Sequence, residues 1–90
     1  MEIVISQHAK IEANKRNIPF EIMMKVAESP EQTITSFKGR KICQSIIFDD
    51  MLSKRVLIRI IVKDIDDVRH VVTAYKTSKV NKYWEPEVRK

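Results

Sequence analysis

The sequence predicts an α+β fold in which an N-terminal helical hairpin packs on a four-stranded antiparallel sheet, followed by a short C-terminal helix. Two changes of pattern point to it. Residues 7–28 favour helix and are broken once, at Asn17-Ile18-Pro19, whereas residues 32–76 turn to runs rich in β-branched side chains with short polar connections. The third observation is size. A chain of 90 residues hides only about 60–65% of its unfolded surface, enough for one core and not for two. One domain spanning residues 1–90 is expected.

Residues 2–5 make a short extended start, and Ser6 is suited to cap a first helix running from Gln7 to Arg16. Pro19 suits the opening turn of a second helix, where a missing amide hydrogen has no partner to lose. Phe20, Met23, Val26 and Ala27 then form one apolar stripe, ended by Ser29-Pro30. Strands are expected near residues 32–37, 41–49, 55–63 and 68–76. Their connections, Lys38-Gly39-Arg40, Asp50-Met51-Leu52-Ser53 and Asp64-Ile65-Asp66-Asp67, are short enough for an antiparallel meander. Ile58-Arg59-Ile60-Ile61-Val62 is dominated by β-branched residues on both faces, which marks a central strand. Residues 78–84 can form a last helical turn, limited by Pro86.

The charge balance, 17 Lys and Arg against 12 Asp and Glu for a net +5, favours an anionic partner. Placement sharpens this. Asp49, Asp50, Asp64, Asp66 and Asp67 crowd into two turns, while Arg40, Lys41, Arg59, Arg69, Lys76, Lys79 and Lys82 lie on or beside strands and the terminal helix, so a basic sheet face is expected. Cys43 is the one cysteine, which excludes an intramolecular disulfide and a thiolate zinc cage. With no apolar run long enough for a bilayer and no signal-peptide pattern at Met1-Glu2-Ile3-Val4-Ile5, a cytoplasmic protein without membrane attachment is expected. A single glycine, Gly39, excludes a Gly-rich phosphate loop, and neither His8 nor His70 has zinc-ligand spacing. No metal and no cofactor are expected.

His8, Glu12 and Arg16 recur every fourth residue and share a helix face. They can act as a proton-exchanging histidine oriented by Glu12, or as a solvated ion-pair ladder. On the third expected strand Leu57, Arg59, Ile61 and Lys63 share one face. Arg59 cannot be buried unpaired at tolerable cost, so it must meet solvent, a carboxylate or a ligand phosphate. Strict alternation puts Arg69, Val71, Thr73, Tyr75 and Thr77 on one face, and Arg69 and Tyr75 are expected to border the surface of Arg59. Arg16, Arg40, Lys41, Lys76, Lys79 and Lys82 read as phosphate contacts. Tyr75, Tyr83 and Trp84 can stack unpaired bases, or Tyr83 and Trp84 can pin the terminal helix to the sheet. His70, Cys43, Met23 and Met24 read as packing residues.

Three short signatures occur in order: His8-Ala9 followed by Arg16-Asn17-Ile18, then Lys38-Gly39-Arg40-Lys41, then Val72-Thr73-Ala74-Tyr75-Lys76-Thr77-Ser78-Lys79 running into Tyr83-Trp84. With them the chain resembles the prokaryotic domain-of-unknown-function family four-two-five-eight, grouped with BrnT-like and RelE/ParE-like toxins. The resemblance implies a RelE/ParE-like fold and a type II toxin that binds RNA and is neutralised by a cognate antitoxin. It further implies a metal-independent endoribonuclease working by 2′-OH attack, with His8 or Tyr75 as acid or base and Arg59 and Arg69 as phosphate clamps. The alternative on the same scaffold is a non-enzymatic protein- or nucleic-acid-binding module, ParE-like topoisomerase inhibition included. The chain departs from the family pattern at two places. Glu12 stands where relatives carry arginine, and Asn17 replaces the usual glycine before Ile18.

Overall fold

The computed structural model describes residues 1–86. In chain order it contains β1 (Glu2–Ile5), α1 (Gln7–Lys15), α2 (Phe20–Glu28), β2 (Gln32–Thr35), β3 (Arg40–Asp49), β4 (Lys54–Ile65), β5 (Val68–Thr77) and α3 (Val80–Tyr83). Ser6 caps α1 as expected, its Oγ accepting the Ala9 N–H at 3.0 Å. The same hydroxyl donates to the Val72 carbonyl at 3.2 Å and so ties the helix start to the sheet. At its other end α1 closes in a Schellman arrangement. The Ile18 N–H donates to the Ala13 carbonyl at 2.8 Å and the Asn17 N–H to that of Asn14 at 3.2 Å. This requires Asn17 at φ 55°, the left-handed region that asparagine tolerates better than other residues with a side chain.

The strand order is β1-β5-β4-β3-β2. Strands β2 to β5 pair antiparallel in sequence, the meander expected from the short connections. The β2–β3 turn has Lys38 at φ 60° and Gly39 at φ 72°, and the β4–β5 turn has Asp66 at φ 50° and Asp67 at φ 64°. Two consecutive left-handed residues give the turn twist that matches a hairpin. The expectation of a four-stranded antiparallel sheet carrying a helical hairpin is overturned. Glu2–Ile5 is a true strand, pairing parallel with β5 from Glu2↔Val68 to Ile5↔Val71, so the sheet is five-stranded and mixed. A lone run of four residues carries no signal of its partner, because a parallel neighbour is reached only through a long crossover. Nor do the first two helices form a unit that packs as a pair. Helix α1 lies over β5 and α2 over β3 and β4, each meeting the sheet more than the other helix.

The core fills the space between these helices and one sheet face. Ala9, Ala13, Met23, Val26 and Ala27 from the helices and Ile18 from their turn meet Cys43, Val56, Ile58, Ile60, Val62, Val71 and Ala74 from the strands, with Ile3 and Ile5 of β1 against them. Each large aliphatic side chain buried there contributes about 1.5–3 kcal/mol. We call this the helical face and its reverse the open face.

One irregularity decides which residues reach which face. Ile61 stands opposite Thr73, but Val62 stands opposite Val71, so Val72 is an extra residue and β5 bulges. Beyond the bulge the alternation reverses. Val71 and Arg69 turn to the helical face, where Val71 is 1% exposed and Arg69 reaches α2, while Thr73, Tyr75 and Thr77 stay opposite. The shared face expected for Arg69 and Tyr75 does not exist, because strict alternation has no place for an inserted residue. No helix among the described residues is long and apolar enough to cross a membrane.

The αL position makes a stability test. Asn17→Ala is expected to lower the unfolding free energy by about 1 kcal/mol, and Asn17→Gly to leave it equal or higher. Urea denaturation followed by circular dichroism measures both, and an alanine variant as stable as the native chain would contradict this account.

Candidate nucleic-acid interface

The helical face consumes most of the cations placed there. Arg69, 8% exposed, donates from Nε and Nη2 to the two Asp64 oxygens at 2.8 Å each, and from Nη1 to the Ala27 carbonyl at 2.8 Å. It also lies 3.4 Å from the Cys43 sulfur. This forked pair, joined by Lys41 Nζ at 3.3 Å, holds the Asp64 carboxyl down from 3.8 to about 2, chiefly through the Arg69 hydrogen bonds. Asp64 in turn raises the Arg69 guanidinium, and burial pushes the Cys43 thiol up. Lys76 is likewise engaged. Its Nζ donates to Asp49 Oδ2 at 2.7 Å, the main reason that the Asp49 carboxyl sits below its ordinary value. Asp49 Oδ1 accepts the Met51 and Leu52 N–H groups, so Lys76 anchors the β3–β4 loop. Arg69 and Lys76 therefore fasten the fold, contrary to their reading as phosphate contacts, since Asp64 and Asp49 take their charges, while the exposed Lys41 shares Asp64 with Arg69.

Helix α1 forms no catalytic array. The Glu12 carboxylate is taken by Arg16 and by Lys15, at 3.5 Å for the lysine, and the Arg16 hydrogen bond is the chief cause of its lowered pKa. His8 is exposed and has no described hydrogen bond to Glu12. The ladder is the solvated kind. Ala9 and Ala13 root the helix in the core of the helical face, which separates His8 from anything on the open face.

The open face is different. Arg59, in the middle of β4, pairs across to Gln44 on β3 and Tyr75 on β5 and is 7% exposed. Its Nε donates to Gln44 Oε1 at 2.9 Å and its Nη1 to the Tyr75 hydroxyl at 2.6 Å. The guanidinium carbon lies 4.5 Å from the centre of the Tyr83 ring and 5.6 Å from that of Tyr75. The five ion pairs among the described residues leave Arg59 out. Its Nη2 donates to no described residue, yet no buried side-chain nitrogen or oxygen among those residues lacks a partner, so that end of the fork reaches water. Gln44 is wholly buried beside it, its Nε2 donating to Gln32 Oε1 at 2.7 Å and to the Tyr83 carbonyl at 3.1 Å.

Further along the same face the register sets Arg40 opposite Lys63 and Lys63 opposite His70, a row across three strands. Arg40 and Lys63 are exposed and His70 half-buried. Like charges on directly opposed residues cost stability. Lys79 and Lys82 are exposed at α3, with Lys82 Nζ 5.3 Å from the Tyr83 ring centre. Of the sequence-derived candidates, the open face thus gathers Arg59, Tyr75, Arg40 and Lys82, Lys79 is exposed at the start of α3, and the others lie elsewhere. Lys63, which the sequence placed on the Arg59 face, was not read as a phosphate contact, and Gln44 and Gln32 were missed. Alternation from Arg59 was the available signal for Lys63, whereas the glutamines carried none until the register was known. Among the described residues no three His, Cys, Asp or Glu side chains group as metal ligands would.

The chain matches no protein-family model, no curated protein and no solved structure.

The Arg69–Asp64 pair yields a pH prediction. The Asp64 carboxyl is depressed in the folded state, so its contribution is complete above about pH 4 and fades as pH falls toward 2. Water reaches a side chain that is 19% exposed, so screening limits the amount to about 1 kcal/mol. Asp64→Asn should flatten this part of the stability–pH curve. Arg69→Ala should cost about 2 kcal/mol, since it empties a buried site and removes the hydrogen bonds to Asp64 and the Ala27 carbonyl while Lys41 and water still meet the Asp64 charge; a surface clamp lost without any change in thermal unfolding would contradict the assignment.

Proposed function

We propose that the open face binds RNA through its phosphates, as the working surface of a small toxin-like cytoplasmic module that a cognate antitoxin would neutralise by covering the same face. One observation carries the reading: a buried guanidinium, Arg59, is held by neutral partners and by no described carboxylate. Desolvating an arginine without a counter-charge costs several kcal/mol. An anion arriving at the free end of the fork would relieve that cost. Arg40 and Lys63, opposed on the same face, extend the positive field along a path that a phosphate backbone can follow.

The arrangement supports binding over cutting. Attack by a 2′-OH needs a base, a cation for the phosphate and a proton source for the leaving oxygen. Arg59 and Tyr75 offer a cation and a hydroxyl, while His8 sits on the helix of the opposite face and Arg69 is locked to Asp64.

Fluorescence anisotropy with a labelled oligoribonucleotide tests this. With about three phosphate contacts, affinity should fall about twentyfold between about 50 and 200 mM salt. Arg59→Gln should weaken binding at least about tenfold, and Arg59→Lys should restore part of it, with thermal unfolding confirming that both variants fold. The absence of RNA binding at low salt, or native affinity in a folded Arg59→Gln variant, would refute the proposal.

A further inference from the structure

We infer that the ligand of the open face is single-stranded RNA and that it binds by displacing the chain's own segment Val80–Glu85, one base taking the place of the Tyr83 ring on Arg59. This rests on the RNA-binding reading above and adds what competes for the site.

The segment is lightly held. Helix α3 has four residues, none of them fully buried, and Val80, Tyr83 and Trp84 of the segment are only half-buried, so neither helix propagation nor complete apolar burial fixes it in place. Its hydrogen bonds to the sheet are few. Gln32 clasps Glu85 at two points, its Nε2 donating to the Glu85 carbonyl at 2.8 Å and its Oε1 accepting the Glu85 N–H at 3.1 Å. Gln44 donates to the Tyr83 carbonyl at 3.1 Å, and the Tyr83 ring stacks on Arg59. The groups beneath the Tyr83 part of this strap are therefore ones that recognise a ligand, a guanidinium, a phenol and the Gln44 amide, whereas Gln32 holds only the strap's end and Gln44.

The strap also shows what shape the site accepts. It presents a planar ring to the guanidinium and a backbone oxygen to an amide donor. A nucleotide with its base unstacked repeats this pattern, base for ring and phosphate oxygen for carbonyl, and arginine and aromatic side chains hold single strands in this way. A duplex cannot, because its bases are already stacked inside. A ligand that must first open the strap binds with an affinity reduced by the fraction of molecules in the open state.

Trp84 adjoins the displaced ring, is half-buried and is the one tryptophan of the chain, so its emission reports the strap directly. A short single-stranded oligouridylate titrated into the full chain should red-shift Trp84 emission in step with binding, and an RNA duplex should not. Gln32→Ala, which releases the clasp, and Glu85→Pro, which removes the N–H that the clasp accepts, should each bind about tenfold tighter than the native chain. Binding without change in Trp84, or unchanged affinity in both variants, would overturn the displacement while the Arg59 substitutions still upheld RNA binding. No binding by the native chain or either variant at low salt would overturn both, whereas binding by the variants alone would support both.

Discussion

Two arginines on neighbouring strands are drawn below the surface on opposite sides of one sheet, and the cost of desolvating a guanidinium governs what surrounds each. Arg69 meets that cost with a forked carboxylate and a helix carbonyl. Arg59 is surrounded by a glutamine, a phenol and a tyrosine ring, none of which carries charge. The first arrangement is complete. The second leaves part of a cation unused, and the functional reading of the molecule begins at that difference.

The bulge in β5 creates the division. Without the bulge, with Val72 paired like its neighbours, the alternation would run unbroken and Arg69 would turn to the open face, away from α2 and Asp64. With it, Arg69 turns toward α2 and Asp64, and Tyr75 remains for Arg59. Ser6 bonds the bulge carbonyl while capping α1, so the first helix and the irregularity are placed by one hydroxyl. The fold and the open face are coupled at this point, since α1 and the bulge together set which β5 residues lie beside Arg59.

Charge is sorted in the same way. Of the strand cations, Arg69 and Lys76 are consumed internally by Asp64 and Asp49, and Lys41 shares Asp64 from the surface. Those acids lie at the two hairpin ends, and their presence there converts bases on the helical face into braces. Arg40, Lys63, Lys79 and Lys82 are in none of the described ion pairs. A net charge of +5 is thus less informative than the face on which the uncommitted share lies.

The sequence by itself determined what depends on near neighbours: the Ser6 cap, the break at Asn17-Ile18-Pro19, the hairpin turns, the antiparallel meander and the central place of β4. It also marked Arg59 as a residue that had to find a partner or a ligand. Tertiary structure decided the rest. The parallel pairing of Glu2–Ile5 with β5, the reversal of faces at Val72 and the clasp of Glu85 by Gln32 across 53 residues all arise between segments far apart in the chain. Local propensity and periodicity describe how one segment is shaped, and they hold no record of which distant segment will lie against it.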